Sequence, residues 1–160
     1  MKETNPKDAV STGKVPLHLC PDTVLVAGSM AFLEGAVKYG AFNWRRAGVR
    51  ASVYKTAGLD HFLAWWNGED IDPDSGLPHL WKLLACVAIL VDASLIGKLV
   101  DDRPPKVPID DLLKALQPLV REIKDRHADK HPHQNTAAEF PEMPRLLLPT
   151  KSRKRVTPRG

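Results

Sequence analysis

The sequence predicts an all-α protein, a compact bundle of about four helices with a disordered basic C-terminal tail. Two observations support this fold class. Apolar residues recur at helical spacing along most of the chain, and no segment shows the strict alternation typical of a strand. The chain has 160 residues, 43% of them hydrophobic and 26% charged, which is enough for one domain with a core. We expect a flexible arm over residues 1–14, the helical domain over 15–126 and the tail over 127–160.

Capping residues and glycines set the limits of the first two predicted helices. Asp22 is a suitable N-cap for the first helix, which Gly40 ends, and Ser52 caps the second, which Gly68 ends. Each helix carries an apolar stripe that we expect to face the core. The stripes consist of Val26, Met30, Leu33 and Val37 in the first helix and of Leu59, Phe62, Leu63 and Trp66 in the second.

The third predicted helix opens with Pro78 at its first position and His79, and it runs to about Ile96. Its sequence, LWKLLACVAILVDASLI, is apolar almost all round, so we expect it to be the central and most buried helix. Asp92 lies inside this apolar stretch, where an unpaired carboxylate is costly. We expect Asp92 either to bind a metal ion or to pair with an Arg or Lys of a neighbouring helix.

A fourth, amphipathic helix reads IDDLLKALQPLVREIKDR, and we expect Pro118 to kink it. The chain beyond it is rich in His, Pro, Lys and Arg, and we interpret His127, His131 and His133 as solvated tail residues rather than metal ligands. Six basic residues and no acid lie in 145–160, and removing those six charges from the net +4 leaves −2 for the rest of the chain. The basic character therefore belongs to the tail, where contact with nucleic acid, or another interaction role, remains an alternative.

The apolar runs and the cysteine content indicate the cellular compartment. The N-terminus has no apolar signal core, and no run reaches the roughly 18 apolar residues that a membrane span requires. Cys20 and Cys86 are the only cysteines, so a disulfide framework is not expected. We expect a cytoplasmic protein without a membrane partner.

The connection between the second and third helices, HFLAWWNGEDIDPDSGLPH, concentrates carboxylates between two histidines. Four neighbouring carboxylates repel one another, and carboxylate oxygens backed by imidazole suit a hard divalent cation. This pattern predicts a site for metal and phosphate, although a histidine beside a core, such as His61, is also compatible with a structural role. The carboxylates are Glu69, Asp70, Asp72 and Asp74, and the histidines are His61 and His79.

Three kinds of site use such residues. Asp70, Asp72 and Asp74 match the first ligands of a calcium loop, but Ser75 stands where that loop needs glycine and Trp81 where it needs glutamate. An HD-type phosphohydrolase needs a His-Asp dipeptide, which the chain lacks. A magnesium-dependent nucleotide pyrophosphohydrolase needs carboxylates for the metal and basic residues to neutralise the developing charge. The chain supplies those parts.

A candidate substrate-binding segment, GAFNWRRAGVRA, follows the first helix. Arginine forks match phosphate geometry, and a tryptophan can stack on a base. The alternative is that Trp44 anchors the core and the arginines are solvated. Just before this segment, Glu34 and Lys38 are four residues apart, which is also the spacing of an ordinary surface ion pair.

Three stretches, EGAVKYGAFNWR, HFLAWWNGEDIDPDSGLPHL and LACVAILVDA, resemble the dATP/dGTP diphosphohydrolase N-terminal domain family of phages and bacteria. The resemblance covers about residues 14–105, and that family is associated with MazG-like all-α pyrophosphohydrolases. It implies metal-dependent hydrolysis of a purine deoxynucleoside triphosphate to monophosphate and pyrophosphate, with Mg²⁺ or Mn²⁺, by a homo-oligomer in phage nucleotide metabolism in the host cytoplasm. The MazG acidic pairs are absent, since Glu34 has no acid three residues away and His79 is followed at that interval by Lys82.

These observations give a set of candidate site residues. We expect a metal bound mainly by Glu69, Asp70 and Asp72, completed by Asp74 and with Asp92 as a further candidate ligand. The expected catalytic residues are His61, Glu69, Asp70 and His79. The expected substrate-binding residues are Lys38, Asn43 and Arg45 for phosphate or sugar, and Tyr39 or Trp44 for the base. The alternative function is a non-catalytic phage protein that binds and sequesters a nucleotide.

Overall fold

The computed structural model describes residues 13–139 and, before them, Lys7 alone. Within that part of the chain four long helices and one short helix are present, so the predicted all-α fold is confirmed. Most of the predicted arm and residues 140–160 of the predicted disordered tail lie outside the described residues. The helices are α1 Asp22–Tyr39, α2 Asn43–Ala47, α3 Ala51–Trp66, α4 His79–Leu95 and α5 Ile109–Arg126, with 3₁₀ turns at Leu17–Leu19 and Ala137–Glu139.

Two short strands correct the prediction that the chain has none. β1 Val49–Arg50 and β2 Leu99–Val100 pair in parallel, with Val49 opposite Leu99. Strands of two residues are too short to show an alternating pattern, so the sequence could not reveal them. The segment after Gly40, predicted to be a loop, also contains the single-turn helix α2.

Helix ends agree with the predicted glycine stops, whereas helix starts do not agree with the predicted caps. Gly40 and Gly68 both have φ of 90°, the left-handed conformation that favours glycine. α3 begins at Ala51, one residue before the predicted cap Ser52. Ser52 instead donates from its backbone N–H and from Oγ to the Asp102 carboxylate, at 2.8 and 2.6 Å. A carboxylate fifty residues away therefore satisfies this helix start.

α4 is the central helix, as predicted, because it packs against α1, α2, α3 and β2. The faces that α1 and α3 turn toward it are not the predicted ones. The predicted stripe residues are 41–80% exposed on α1 and 38–70% exposed on α3. Small residues allow the close approach instead: Gly28 and Ala31 are buried on α1, and Gly58 of α3 lies against Leu83 and Cys86.

Gly48 connects α2 to β1 in a conformation that a side chain would not tolerate. Its φ is 77° and ψ 171°, and a Cβ atom there would lie 2.9 Å from the Lys98 carbonyl oxygen, which accepts the Val49 N–H. We expect Gly48→Ala to lower the free energy of unfolding by about 2 kcal/mol or more. Urea unfolding measures this. Gly35→Ala is the control, because a Cβ there meets nothing within 4 Å and should stabilise the helix. Equal effects of the two changes would contradict the steric argument.

The chain divides into two compact units after Lys106, and the predicted domain 15–126 spans this division. The first unit holds α1 to α4 and both strands. The second unit holds α5, with Pro118 inside it, and the turn Ala137–Glu139. Among the helices described, none combines the length and the apolar character needed to cross a membrane.

Candidate functional site

A cleft of about 430 Å³ in the first unit gathers residues from α1, α2, α3 and α4. This volume lies within the range of about 300–1,000 Å³ typical of small-molecule sites. Its walls combine aromatic rings with a few charged groups. The lining includes five of the predicted site residues, Lys38, Tyr39, Asn43, Trp44 and His61, and also Phe32, Glu34, Tyr54, Lys82 and Cys86.

Lys82 of α4 joins two carboxylates at this cleft. Its Nζ atom contacts Asp72 Oδ2 directly and lies 3.4 Å from Glu34 Oε2. Burial lowers the pKa of Lys82, but the hydrogen bond to Asp72 and the nearby Glu34 charge outweigh it, so the pKa is raised. The ammonium group is therefore charged and held in place by two anions.

Glu34 connects this lysine to a second one. Lys38, one helical turn further along α1, hydrogen bonds to Glu34 Oε1. Burial raises the pKa of Glu34, but the bond from Lys38 and the charge of Lys82 more than compensate, so its pKa is lowered. The predicted Glu34–Lys38 pair therefore exists and is one end of a charge chain that continues through Lys82 to Asp72.

Asp72 organises the acidic connection. It is 7% exposed, accepts from the Ser75 hydroxyl at 2.8 Å and from the Asp74 backbone N–H at 3.1 Å, and contacts Lys82. Its own N–H donates to the Leu77 carbonyl at 2.9 Å. Burial would raise the Asp72 pKa, but these hydrogen bonds hold it well below its usual range. Asp72 is thus an ion-pair partner that also closes its loop.

His61 and His79 approach each other beside this charge chain. Their Nδ1 atoms are 2.9 Å apart, so one ring donates to the other. His79 is 5% exposed, and its Nε2 atom has no hydrogen-bond partner among the described residues, the nearest acid being Glu69 with Oε2 at 3.8 Å. Burial, followed by the charge of Lys82, lowers the pKa of His61, so this ring is neutral at pH 7.

Asp92 takes the ion-pair role that the sequence left open for it. Arg45 binds it in a two-pronged pair, with Nε 2.9 Å from Oδ2 and Nη2 2.8 Å from Oδ1, and the Trp44 indole N–H donates to Oδ2 at 2.6 Å. The Arg45 and Trp44 hydrogen bonds lower the Asp92 pKa. These groups line a second cavity of about 440 Å³. The structure therefore places Arg45 and Asp92 away from the acidic connection, and both Asp92 oxygens are already used.

The acidic connection is where the sequence predicts a metal site. Across residues 13–139, no three His, Cys, Asp or Glu side chains are grouped closely enough to hold a metal ion. Asp72 is paired with Lys82, Glu69 lies nearest to His79, and Asp70 contributes its backbone carbonyl to the His79 N–H at 3.0 Å. This arrangement does not fit a resident Mg²⁺ or Mn²⁺, so the metal roles assigned to Glu69, Asp70, Asp72, Asp74 and Asp92 stay predictions without structural support.

Lys82 is the main site residue that the sequence analysis missed. The signal was present, since a single lysine in the apolar sequence LWKLLACVAILV needs a counter-ion for the same reason as Asp92 does. Tyr54 of α3 is a second cleft residue that is not among the predicted site residues. In the cleft its pKa is raised, mainly by burial, so its hydroxyl stays protonated and can donate a hydrogen bond.

The geometry defines a class of protein: a small helical domain with a cleft that offers aromatic faces, two lysines and a neutral histidine. Such a cleft suits a ligand with a ring at one end and an anionic group at the other. The chain belongs to the dATP/dGTP diphosphohydrolase, N-terminal, family, which matches residues 4–103 and confirms the resemblance. The family name implies a diphosphohydrolase. No curated protein and no solved structure matches the chain.

Proposed function

We propose that this protein hydrolyses a purine deoxynucleoside triphosphate to the monophosphate and pyrophosphate in the cleft between α1, α3 and α4. One observation supports this most directly: a single cleft of nucleotide size contains both lysines of the charge chain, the neutral His61 and several aromatic rings. Family membership supports the same reaction class. The bond that breaks is the one between the α-phosphorus and the oxygen that bridges it to the β-phosphate.

In this proposal the base lies against the aromatic part of the cleft and the phosphates lie at Lys38 and Lys82. Phe32 and Trp44 already stack with ring centroids 5.6 Å apart, which gives a purine a flat apolar wall. Lys38 is the more accessible of the two lysines and is the one that can exchange Glu34 for a phosphate oxygen. Lys82 remains bound to Asp72 and supplies a fixed positive charge.

The cation enters with the nucleotide in this proposal. The two lysines are already balanced by Glu34 and Asp72, so the cleft has little spare positive charge for a bare triphosphate. A nucleotide with Mg²⁺ already bound to its phosphates carries less negative charge, so it needs less positive charge from the cleft. It also needs no metal cluster on the protein. Mg²⁺ is commonly bound in this way, through substrate phosphates with few protein ligands.

His61 acts as the general base in this proposal, and His79 and Glu69 orient it. If His61 donates its Nδ1–H to His79 Nδ1, then His79 carries its proton on Nε2, facing Glu69 at 3.8 Å. The Nε2 atom of His61 then keeps its lone pair and can accept a proton from the attacking water. Pyrophosphate leaves as the water oxygen bonds to the α-phosphorus.

Product analysis tests the proposal. The protein is incubated with each of the four deoxynucleoside triphosphates and with ATP and GTP, in Mg²⁺, and the products are separated by ion-exchange chromatography. We expect monophosphate and pyrophosphate in equal amounts, with dATP or dGTP turned over fastest. Release of inorganic phosphate and diphosphate would contradict the proposed bond. Nucleotide that binds and stays intact would favour the sequestering alternative.

A matched pair of variants tests the location of the site. Ala57 lines the proposed cleft and Ala36 lines the second cavity, and both are half-buried. Ala57→Met should raise the dissociation constant of a non-hydrolysable dATP analogue by about 10-fold or more, because the added atoms occupy the cleft. Ala36→Met, the same change in the other cavity, should leave it within about 3-fold.

A further inference from the structure

The helix α5 carries an apolar face that the family and the proposed function do not account for, since the family matches only residues 4–103. Seven large apolar side chains lie within an arc of about 120° on an ideal helix, and each of them is 43–58% exposed. Pro118 lies on the opposite side of the helix, so its ring does not interrupt this face. The seven residues are Ile109, Leu112, Leu113, Leu116, Leu119, Val120 and Ile123.

The order of these residues is symmetric about Leu116. Counting outward from Leu116 in either direction, apolar residues occur at the same distances of three, four and seven. Ile109 therefore corresponds to Ile123, and Leu113 to Leu119. Two copies of such a helix running in opposite directions would place an apolar residue opposite an apolar residue at every level, which is what a two-fold interface requires.

The charges beside this face favour opposite directions over the same direction. The half before Pro118 contains Asp110, Asp111 and Lys114, for a net charge of −1, and the half after it has a net charge of +1. Asp110 and Lys124 border the same edge of the apolar face. In an antiparallel pair each Asp110 lies near Lys124 of the other helix, whereas a parallel pair brings like charges and like helix ends together.

We propose that α5 pairs in antiparallel orientation with α5 of a second copy of the chain, across a two-fold axis at Leu116. A membrane surface fits this helix less well, because its polar face carries four acids and four bases and its apolar face has no aromatic residue. An isolated helix of 18 residues is also marginal in water and depends on packing of its apolar face. The pairing does not depend on the proposed enzyme activity.

The first test is the mass of the full-length protein in solution, measured by sedimentation and light scattering. Wild type should have at least twice the mass of one chain. Leu116→Lys places two ammonium groups face to face at the axis, so it should halve the mass and raise the dissociation constant at least about 100-fold. Asp125→Asn is the control, because it adds the same charge on the opposite face and should leave the mass unchanged.

The second test addresses the relative direction of the two paired helices. It changes only charged residues beside the apolar face and leaves the apolar residues intact. Asp110→Lys should weaken association by several-fold, and adding Lys124→Asp should restore it, since each new lysine then meets a new aspartate of the partner. Circular dichroism checks that no variant loses more helix than the 18 residues of α5. A wild type with the mass of one chain, or a Leu116→Lys variant with wild-type mass, overturns the pairing. A double variant without recovery overturns the antiparallel direction.

Discussion

Replacing Lys82 with methionine should lower the free energy of unfolding by about 2 kcal/mol at pH 7, a value between those of exposed and buried ion pairs. The change keeps the length of the side chain and removes its charge. Asp72 and Glu34 would then remain as covered carboxylates without their shared cation. The loss should exceed that of an ordinary surface ion pair because only 16% of the Lys82 side chain is exposed.

The pH dependence of this loss follows from the direction of the pKa shifts. The pKa values of Asp72 and Glu34 are lowered in the folded protein, so their contribution is present above the ordinary carboxyl pKa and is lost as pH falls through the folded values. The difference between wild type and Lys82→Met should therefore be largest near neutral pH and should shrink below about pH 4. Urea unfolding at a series of pH values measures it.

Lys38→Met is the matched control for this prediction. It is the same substitution in a lysine that bonds the same Glu34, but 47% of the Lys38 side chain is exposed. Its effect on stability should stay below about 1 kcal/mol, because exposed pairs contribute little. Adding Asp72→Asn to Lys82→Met should recover part of the lost stability by removing one unpaired charge. Equal losses for the two lysine variants would show that Lys82 does not hold the charge chain together.

The four long helices and the C-terminal ends of α1 and α3 were predictable because they depend on local sequence. The stops at Gly40 and Gly68 follow from the left-handed conformation that ends a helix, which is a property of the residue itself. The same holds for the grouping of Lys38, Tyr39, Asn43 and Trp44, which come from neighbouring turns of one segment and line one cleft.

The inward face of each helix could not be predicted in this way. α3 carries two adjacent stripes, one with Phe62 and Leu63 and the other with Gly58 and His61. Hydrophobicity alone favours the first stripe as the buried face. α4 instead packs on the stripe with Gly58, because a glycine lets two backbones approach and brings His61 within reach of His79. That choice depends on the shape of the partner helix.

The partners of the charged residues were equally hidden from the sequence. Four carboxylates close together in the chain predict a shared cation, yet two of them reach different partners once the loop folds. Asp72 turns to Lys82 of the next helix, and Glu69 lies nearest to the buried His79. A loop that closes through its own backbone hydrogen bonds, such as that of Asp72 with Leu77, fixes these directions, and those bonds cannot be read from composition.

His61→Ala should lower the turnover number by about 100- to 10,000-fold, the usual contribution of a general base. Nucleotide binding should change far less, because the ring occupies only part of the cleft. Steady-state kinetics measures the first effect, and calorimetry with a dATP analogue that cannot be cleaved between the α- and β-phosphates measures the second. His127→Ala is the control, since His127 follows α5 and is exposed, and it should leave both quantities unchanged.

The pH profile separates a base from a residue that only fills space. The pKa of His61 is lowered, mainly by burial, and a base works when it is deprotonated. Activity of the wild type should therefore rise with pH and reach its plateau with a midpoint below the ordinary histidine value of about 6.5. Glu69→Gln removes a negative charge beside His79 and should move that midpoint lower still, while His61→Ala should lose this step and regain activity with added imidazole. A His61→Ala variant with the wild-type acid limb would assign the proton transfer to another group.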